Sequence, residues 1–167
     1  MKTLYLCRHA KSSWADLGMD DFDRPLNERG LRNAPFMAQT FAQRGEPVQL
    51  IVSSPANRAL TTARYFSEAL KNPVERFNLD RQIYLAERHT LSSVVGQLPN
   101  ELQRVMLFGH NPGFTELTNH LSDAAIANLP TCGLVRIDIA VNEWQHITKG
   151  SGTLVWFDYP KRHPGQG

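Results

Sequence analysis

Three times along the chain a short apolar run ends in a polar cluster and then gives way to a helical pattern. Residues 3–7 run into Arg8-His9, residues 48–52 into Ser53-Ser54-Pro55, and residues 105–108 into Gly109-His110-Asn111-Pro112. Leu50-Ile51-Val52 and Val105-Met106-Leu107-Phe108 are apolar on both alternating sets of positions. A strand that buries only one face alternates, whereas a parallel strand covered on both faces does not. The arrangement therefore predicts an α/β fold: a three-layer α/β/α sandwich with a mostly parallel central sheet.

A chain of 167 residues is long enough to bury one core without help and short enough to have only one. We expect a single domain over residues 1–160 and a frayed tail over 161–167, which holds one proline and two glycines and nothing apolar. No apolar run approaches the roughly 18 residues of a membrane span, and the start runs too quickly into Arg8, His9 and Lys11 for a secretion signal. Cys7 and Cys132 stand far apart without C-x-x-C spacing, which reads as reduced thiols in a cytoplasmic protein. A net charge of +2 with dispersed basic residues leaves no electrostatic footprint for nucleic acid. Any anion bound here has to be met by a few placed side chains.

Helix starts are signalled by Ser54 before Pro55 and by Asn111 before Pro112, each a side-chain cap followed by proline at the first helical position. A further helix over 27–44 carries Leu31, Ala34, Met37, Ala38 and Phe41 at helical spacing, contains Pro35 as a kink point, and stops at Gly45. A shorter helical pattern covers 90–98, and the Asp-rich stretch 16–25, without periodicity, reads as a loop. After Pro130 the pattern turns strand-like over 134–139 and 153–157, with 143–147 between them. These are expected to add antiparallel strands to the sheet.

In open α/β sheets ligands bind outside the carboxyl ends of the strands. Here those ends deliver Arg8-His9, the segment from Ser54 to Arg58, and His110. Arg58 falls in the first turn of its helix, where free N–H groups and the helix dipole also favour an anion. The Arg-His dipeptide alone carries little weight, since it recurs at Arg88-His89 and Arg162-His163. Taken singly, His9 and His110 are equally well explained as hydrogen-bonded histidines at strand ends; the joint pattern favours a phosphate cradle.

Four ordered segments resemble the histidine phosphatase superfamily, and within it the SixA-type phosphohistidine phosphatases. They are residues 6–14 (Leu6 to Trp14), 24–30 (Arg24 to Gly30), 53–63 (Ser53 to Ala63) and 108–113 (Phe108 to Gly113). The resemblance implies that Arg8 and Arg58 grip the phosphoryl oxygens, that His9 is the residue phosphorylated, and that His110 is the second pocket histidine. Ser12 either lines the pocket or caps a turn. Glu87 is aligned loosely with an acidic residue of many members, as a candidate general acid, and reads as readily as a solvated carboxylate. Ala10 and Ala15 depart from the superfamily pattern, the latter where sugar-phosphate mutases tend to carry asparagine, which speaks against a mutase. The implied substrate is a phosphorylated protein, with phosphohistidine foremost, or a small phosphate ester. No metal and no cofactor are expected, because two guanidiniums and an imidazolium can stabilise the equatorial oxygens. A monomer is expected.

Three rival readings arise. A zinc hydrolase would draw on His9, His89, His110 and His120, which show no ligand motif. Cysteine phosphatase chemistry at Cys7 would need arginine where Ser13 stands. A non-catalytic module that only binds phosphate would use the same two arginines.

Overall fold

The computed structural model describes residues 1–167. Its sheet has six strands in the order β3-β2-β4-β1-β5-β6: β1 (Lys2–Arg8), β2 (Leu50–Ser53), β3 (Phe77–Leu79), β4 (Arg104–Gly109), β5 (Leu134–Ile139) and β6 (Gly152–Asp158). The first four are parallel to one another, and β5 runs antiparallel to both β1 and β6.

Alternation along the strands divides the apolar residues between two faces. Leu4, Leu6, Leu50, Val52, Val105 and Leu107 join one core, whereas Tyr5, Cys7, Ile51, Met106 and Phe108 join another. The second core is roofed by α1 (Glu28–Gln43) and α2 (Asn57–Ala69), through Met37, Phe41, Ala63 and Phe66. The first is roofed by α3 (Arg88–Gly96) and α4 (Gly113–Leu121), through Leu91, Val95, Phe114 and Leu117. Helices on both faces of a largely parallel sheet give the expected three layers, and the sheet's central strands are buried because both faces are covered. No helix is long and apolar enough to cross a membrane.

Local signals explain most boundaries. Asn27 Oδ1 accepts from Gly30 N at 2.9 Å and so caps α1, and Gly45 takes a φ of +69° just past its end. The helix runs unbroken through Pro35. Gly30 is required for space, since a Cβ there would meet the Lys11 carbonyl oxygen at 2.2 Å. That close approach presses the first turn of α1 onto the chain leaving β1, where Asn27 N donates to Lys11 O at 2.9 Å.

Several expectations need correction. α2 begins at Asn57 and α4 at Gly113, with Ala56 and Pro112 in the capping positions. Ser54 thus lies two residues and Asn111 one residue before the capping position, because Pro55 precedes the cap of α2 and Pro112 is itself the cap of α4. The stretch 143–147 is not a strand: Trp144–His146 forms a 3-10 turn whose Trp144 is fully buried and donates Nε1–H to Leu102 O at 2.9 Å. The loop 16–25 holds a short 3-10 turn at Asp21–Asp23. Past β6, Pro160–Arg162 forms a further turn, and the His163 ring lies 2.8 Å from Asp158 Oδ1; neither bears on the expected tail.

Candidate active site

β2, β4 and β1 are neighbours, and their carboxyl ends finish nearly flush. Ser53 pairs with Phe108 and Arg8 with Gly109, while His9 N donates to Gly109 O at 3.0 Å and Ser54 N to Phe108 O at 2.9 Å. The residues that follow these strands therefore share one small cavity of about 160 Å³, lined by Arg8, His9, Ser12, Arg24, Arg58 and His110 with Trp14 and Leu85 at its rim. A broader groove of about 540 Å³ crosses α2 and β3, but it gathers no histidine and no pair of buried cations.

The His9 and His110 rings lie 5.4 Å apart between centres, tilted by 51°. Both are buried. His9 Nδ1 sits 2.7 Å from Ala10 O, and a carbonyl oxygen can only accept, so Nδ1 carries the proton. Burial is the main cause that pushes His9 down to about 3; the Ala10 carbonyl pulls the other way, and His110, Arg58 and Arg8 add to the depression. The ring is thus neutral near pH 7, with Nε2 left as a free lone pair. His110 is likewise pushed down to about 3, by burial first and then by Arg58. Its Nε2 shares a 2.8 Å hydrogen bond with Ser54 Oγ, and its Nδ1 is buried without a protein partner. The edge of Tyr84 packs against it at 5.5 Å.

The two arginines are anchored differently. Arg8 Nη1 donates to Leu129 O at 3.0 Å, and its Nε has no protein partner. Burial lowers the Arg8 pKa from its ordinary value, and the Arg58 charge lowers it further. Arg58, only 3% exposed, donates from Nη1 to Asp21 O at 2.7 Å and from Nη2 to Asp21 Oδ2 at 3.0 Å. Ser12 is buried at the cavity wall and accepts from Arg24 Nη2.

The structure thus brings together Arg8, His9, Arg58, His110 and Ser12, but not Glu87. The Glu87 side chain is 79% exposed, paired at 3.4 Å with His89, and lines a neighbouring depression across Leu85. His89 and His120 are also elsewhere, the latter 3.2 Å from Arg88 Nη1, so the four histidines of the zinc reading do not meet. Cys7 is fully buried, and burial followed by Cys132 pushes its thiol well above the ordinary value. Sequence reasoning missed Asp21, Arg24, Tyr84 and the role of Ser54. The one available signal was a polar loop of ten residues inside a compact domain, which is more often functional than a plain connection.

The two histidines make the fold acid-sensitive. An unfolded histidine takes up its proton near pH 6.5, whereas these two resist it down to about 3. Between those limits the unfolded chain binds more protons, so stability is full above about pH 6.5 and is lost as the pH falls toward 3. Urea melts taken from pH 7 to pH 4 are expected to show a slope of about 1.4 kcal/mol per pH unit for each histidine, and a shallower slope in His9→Ala.

The model of the histidine phosphatase superfamily (branch 1) matches residues 4–85. An uncharacterized chloroplastic protein of Arabidopsis thaliana is 31% identical over 93% of this chain and 74% of its own length. An Agrobacterium tumefaciens crystal structure given the name phosphohistidine phosphatase SixA is 30% identical, with a TM-score of 0.80 over 95% of this chain and 98% of that one. A protein histidine phosphatase SixA complexed with tungstate shares the fold at a TM-score of 0.80 and 19% identity, over 96% of this chain and 98% of that one. With that cavity at the ends of its parallel strands, the chain belongs to the histidine phosphatase superfamily and is a phosphatase. Within that superfamily it is of the SixA type.

Proposed function

We propose that the chain removes phosphoryl groups through a covalent phosphohistidine at His9, and that its substrate is phosphohistidine carried on a protein. His9 Nε2 attacks phosphorus in line with the leaving nitrogen, and the N–P bond of the substrate breaks as the new one forms. The phosphorylated His9 ring keeps its Nδ1 proton on the Ala10 carbonyl. Arg8 and Arg58 hold the equatorial oxygens, with His110 beside them, so that the charge of the loose transition state meets fixed donors. Water then adds to phosphorus, its proton passes to solvent, and the bonding pair returns to Nε2 as inorganic phosphate departs.

The observation that carries the substrate reading is the size of the cavity. At about 160 Å³ it holds a phosphoryl group and little more, well below the roughly 300–1,000 Å³ that encloses a whole small molecule. The rest of the substrate has to lie outside, against a rim where Trp14 is 66% and Leu85 54% exposed. A leaving imidazole needs little protonation, which suits a pocket whose Glu87 faces away from it. We take the working form to be a cytoplasmic monomer.

The test is a comparison of turnover on a phosphohistidine protein, a sugar phosphate and an aryl phosphate. We expect kcat/KM for the protein substrate to exceed that for the sugar phosphate by about 10²-fold or more. A sugar phosphate turned over as well as the protein would overturn the substrate reading.

A further inference from the structure

The carboxylate of Asp21 sits on the guanidinium assigned above to the phosphoryl group. Arg58 gives Asp21 two hydrogen bonds, one to its main-chain oxygen and one to the carboxylate Oδ2. The Tyr84 hydroxyl donates to the same Oδ2 at 2.6 Å, and Arg24 Nη1 donates to Oδ1 at 3.0 Å. Arg24 is itself immobilised: Nε donates to Ser13 O at 3.0 Å, Nη2 to Ser12 Oγ, and its guanidinium lies 3.3 Å from the centre of the Trp14 ring. Asn57 Nδ2, in the first turn of α2, donates to Asp23 O at 3.1 Å and ties down the same loop.

A buried guanidinium needs its donors met, but backbone carbonyls can do that, as Leu129 O does for Arg8. At Arg58 a backbone carbonyl, Asp21 O, is joined by an ionised carboxylate, Asp21 Oδ2. Burial pushes the Asp21 carboxyl up, yet the hydrogen bonds from Tyr84, Arg58 and Arg24 outweigh it and hold it at about 2. A fixed negative charge beside a pocket for a dianion weakens ground-state binding and occupies one of the five Arg58 donors, while the Asp21 carbonyl takes another. That arrangement favours catalysis only if it holds the remaining donors where the transferring phosphoryl group will be, since only interactions stronger in the transition state raise kcat.

We infer that Asp21 is a positioning residue for the reaction: pinned by Tyr84 and Arg24, it fixes the Arg58 guanidinium for the transferring phosphoryl group while lowering affinity for the free dianion. The inference rests on the phosphoryl-binding role proposed for Arg58.

The consequence is a split in opposite directions. Asp21→Asn keeps the side chain's size and one oxygen acceptor but removes the charge. Inorganic phosphate is expected to inhibit this variant at about three- to tenfold lower concentration while kcat falls about tenfold. Tyr84→Phe, which removes one of the bonds that hold Asp21 but leaves its charge in place, is expected to lower kcat by a smaller factor without tightening phosphate. It carries the test, through kcat, if Asp21→Asn does not fold. A loop staple alone would lower the melting temperature and kcat without tightening phosphate. The inference fails if folded Asp21→Asn binds phosphate no more tightly than wild type, or if either variant keeps the wild-type kcat. Arg58→Ala separates the two levels: lost phosphate inhibition there, with none gained in Asp21→Asn, sinks only the role of Asp21. Unchanged phosphate inhibition in Arg58→Ala sinks the reading of Arg58 and the inference with it.

Discussion

His9→Ala is expected to lower kcat by about 10⁴-fold or more while the protein stays folded, because removing a nucleophile abolishes the covalent route and leaves only binding and charge stabilisation. The backbone at residue 9 is held independently of its side chain. Its N–H donates to Gly109 O, and its carbonyl accepts from Cys132 N at 3.0 Å. The imidazole makes one hydrogen bond, to Ala10 O, so alanine removes little that holds the end of β1 in place. Two measurements check this. Far- and near-UV circular dichroism is expected to match wild type, and wild type quenched after exposure to a phosphorylated substrate is expected to carry an acid-labile phosphate that His9→Ala lacks. A folded His9→Ala that retains turnover, or a labelled His9→Ala, contradicts the nucleophile assignment. An active-looking pocket that never becomes labelled in wild type points instead to a module that only binds phosphate.

Much of this site was legible before any coordinates because its parts follow directly from local pattern. Runs such as Val105-Met106-Leu107-Phe108 declare buried parallel strands, and parallel strands place their carboxyl ends together. His9, Ser54 and His110 each lie one residue beyond such a strand, so their convergence needed no knowledge of the rest of the chain. What stayed hidden depends on distant partners. Ser54 before Pro55 gives a strong local capping signal, yet its hydroxyl bonds to His110, 56 positions away. Asp21 looked like one of several loop carboxylates, and nothing nearby in sequence announces Arg58 or Tyr84, which lie 37 and 63 positions on. Strand β3 was missed for a related reason: with three residues at the sheet edge and Asn78 and Leu79 exposed, it has neither length nor a clear burial pattern, and pairing with β2 alone makes it a strand.

The stretch 143–147, set among the strand-like runs by its position between them, fails in the opposite way. Trp144 is buried for another purpose. It plugs the end of the sheet, taking its main-chain N–H to Asn100 Oδ1 at 2.9 Å and its indole N–H to Leu102 O. Tertiary packing overrides propensity most easily in segments this short. Chemistry in this fold is thus anchored on strand ends that sequence pattern reveals, and adjusted by a loop whose contacts it does not.

Arg58→Ala is the second large effect, and its interpretation depends on that loop. Losing one preorganised cation from a water-poor site costs about 10²–10³-fold in rate where such donors have been removed elsewhere, and kcat/KM is expected to fall by at least that much, together with loss of phosphate inhibition. Arg58→Lys is expected to recover only a small part, since an ammonium cannot reproduce the planar fork that donates to Asp21 O and Oδ2 in parallel. In Arg58→Ala the Asp21 carboxylate keeps its bonds from Tyr84 and Arg24 but loses the cation that neutralised it toward the pocket. Part of the phosphate affinity lost in Arg58→Ala is therefore repulsion from Asp21 rather than absence of Arg58. The double variant Asp21→Asn/Arg58→Ala separates the two contributions, because residues in direct contact are non-additive. It is expected to bind phosphate more tightly than Arg58→Ala alone while gaining no rate, since rate requires the guanidinium itself. Phosphate titrations and kcat for the four proteins of this cycle supply the check. A double variant that regains turnover would mean that Asp21 is an inhibitor of the site and not its support.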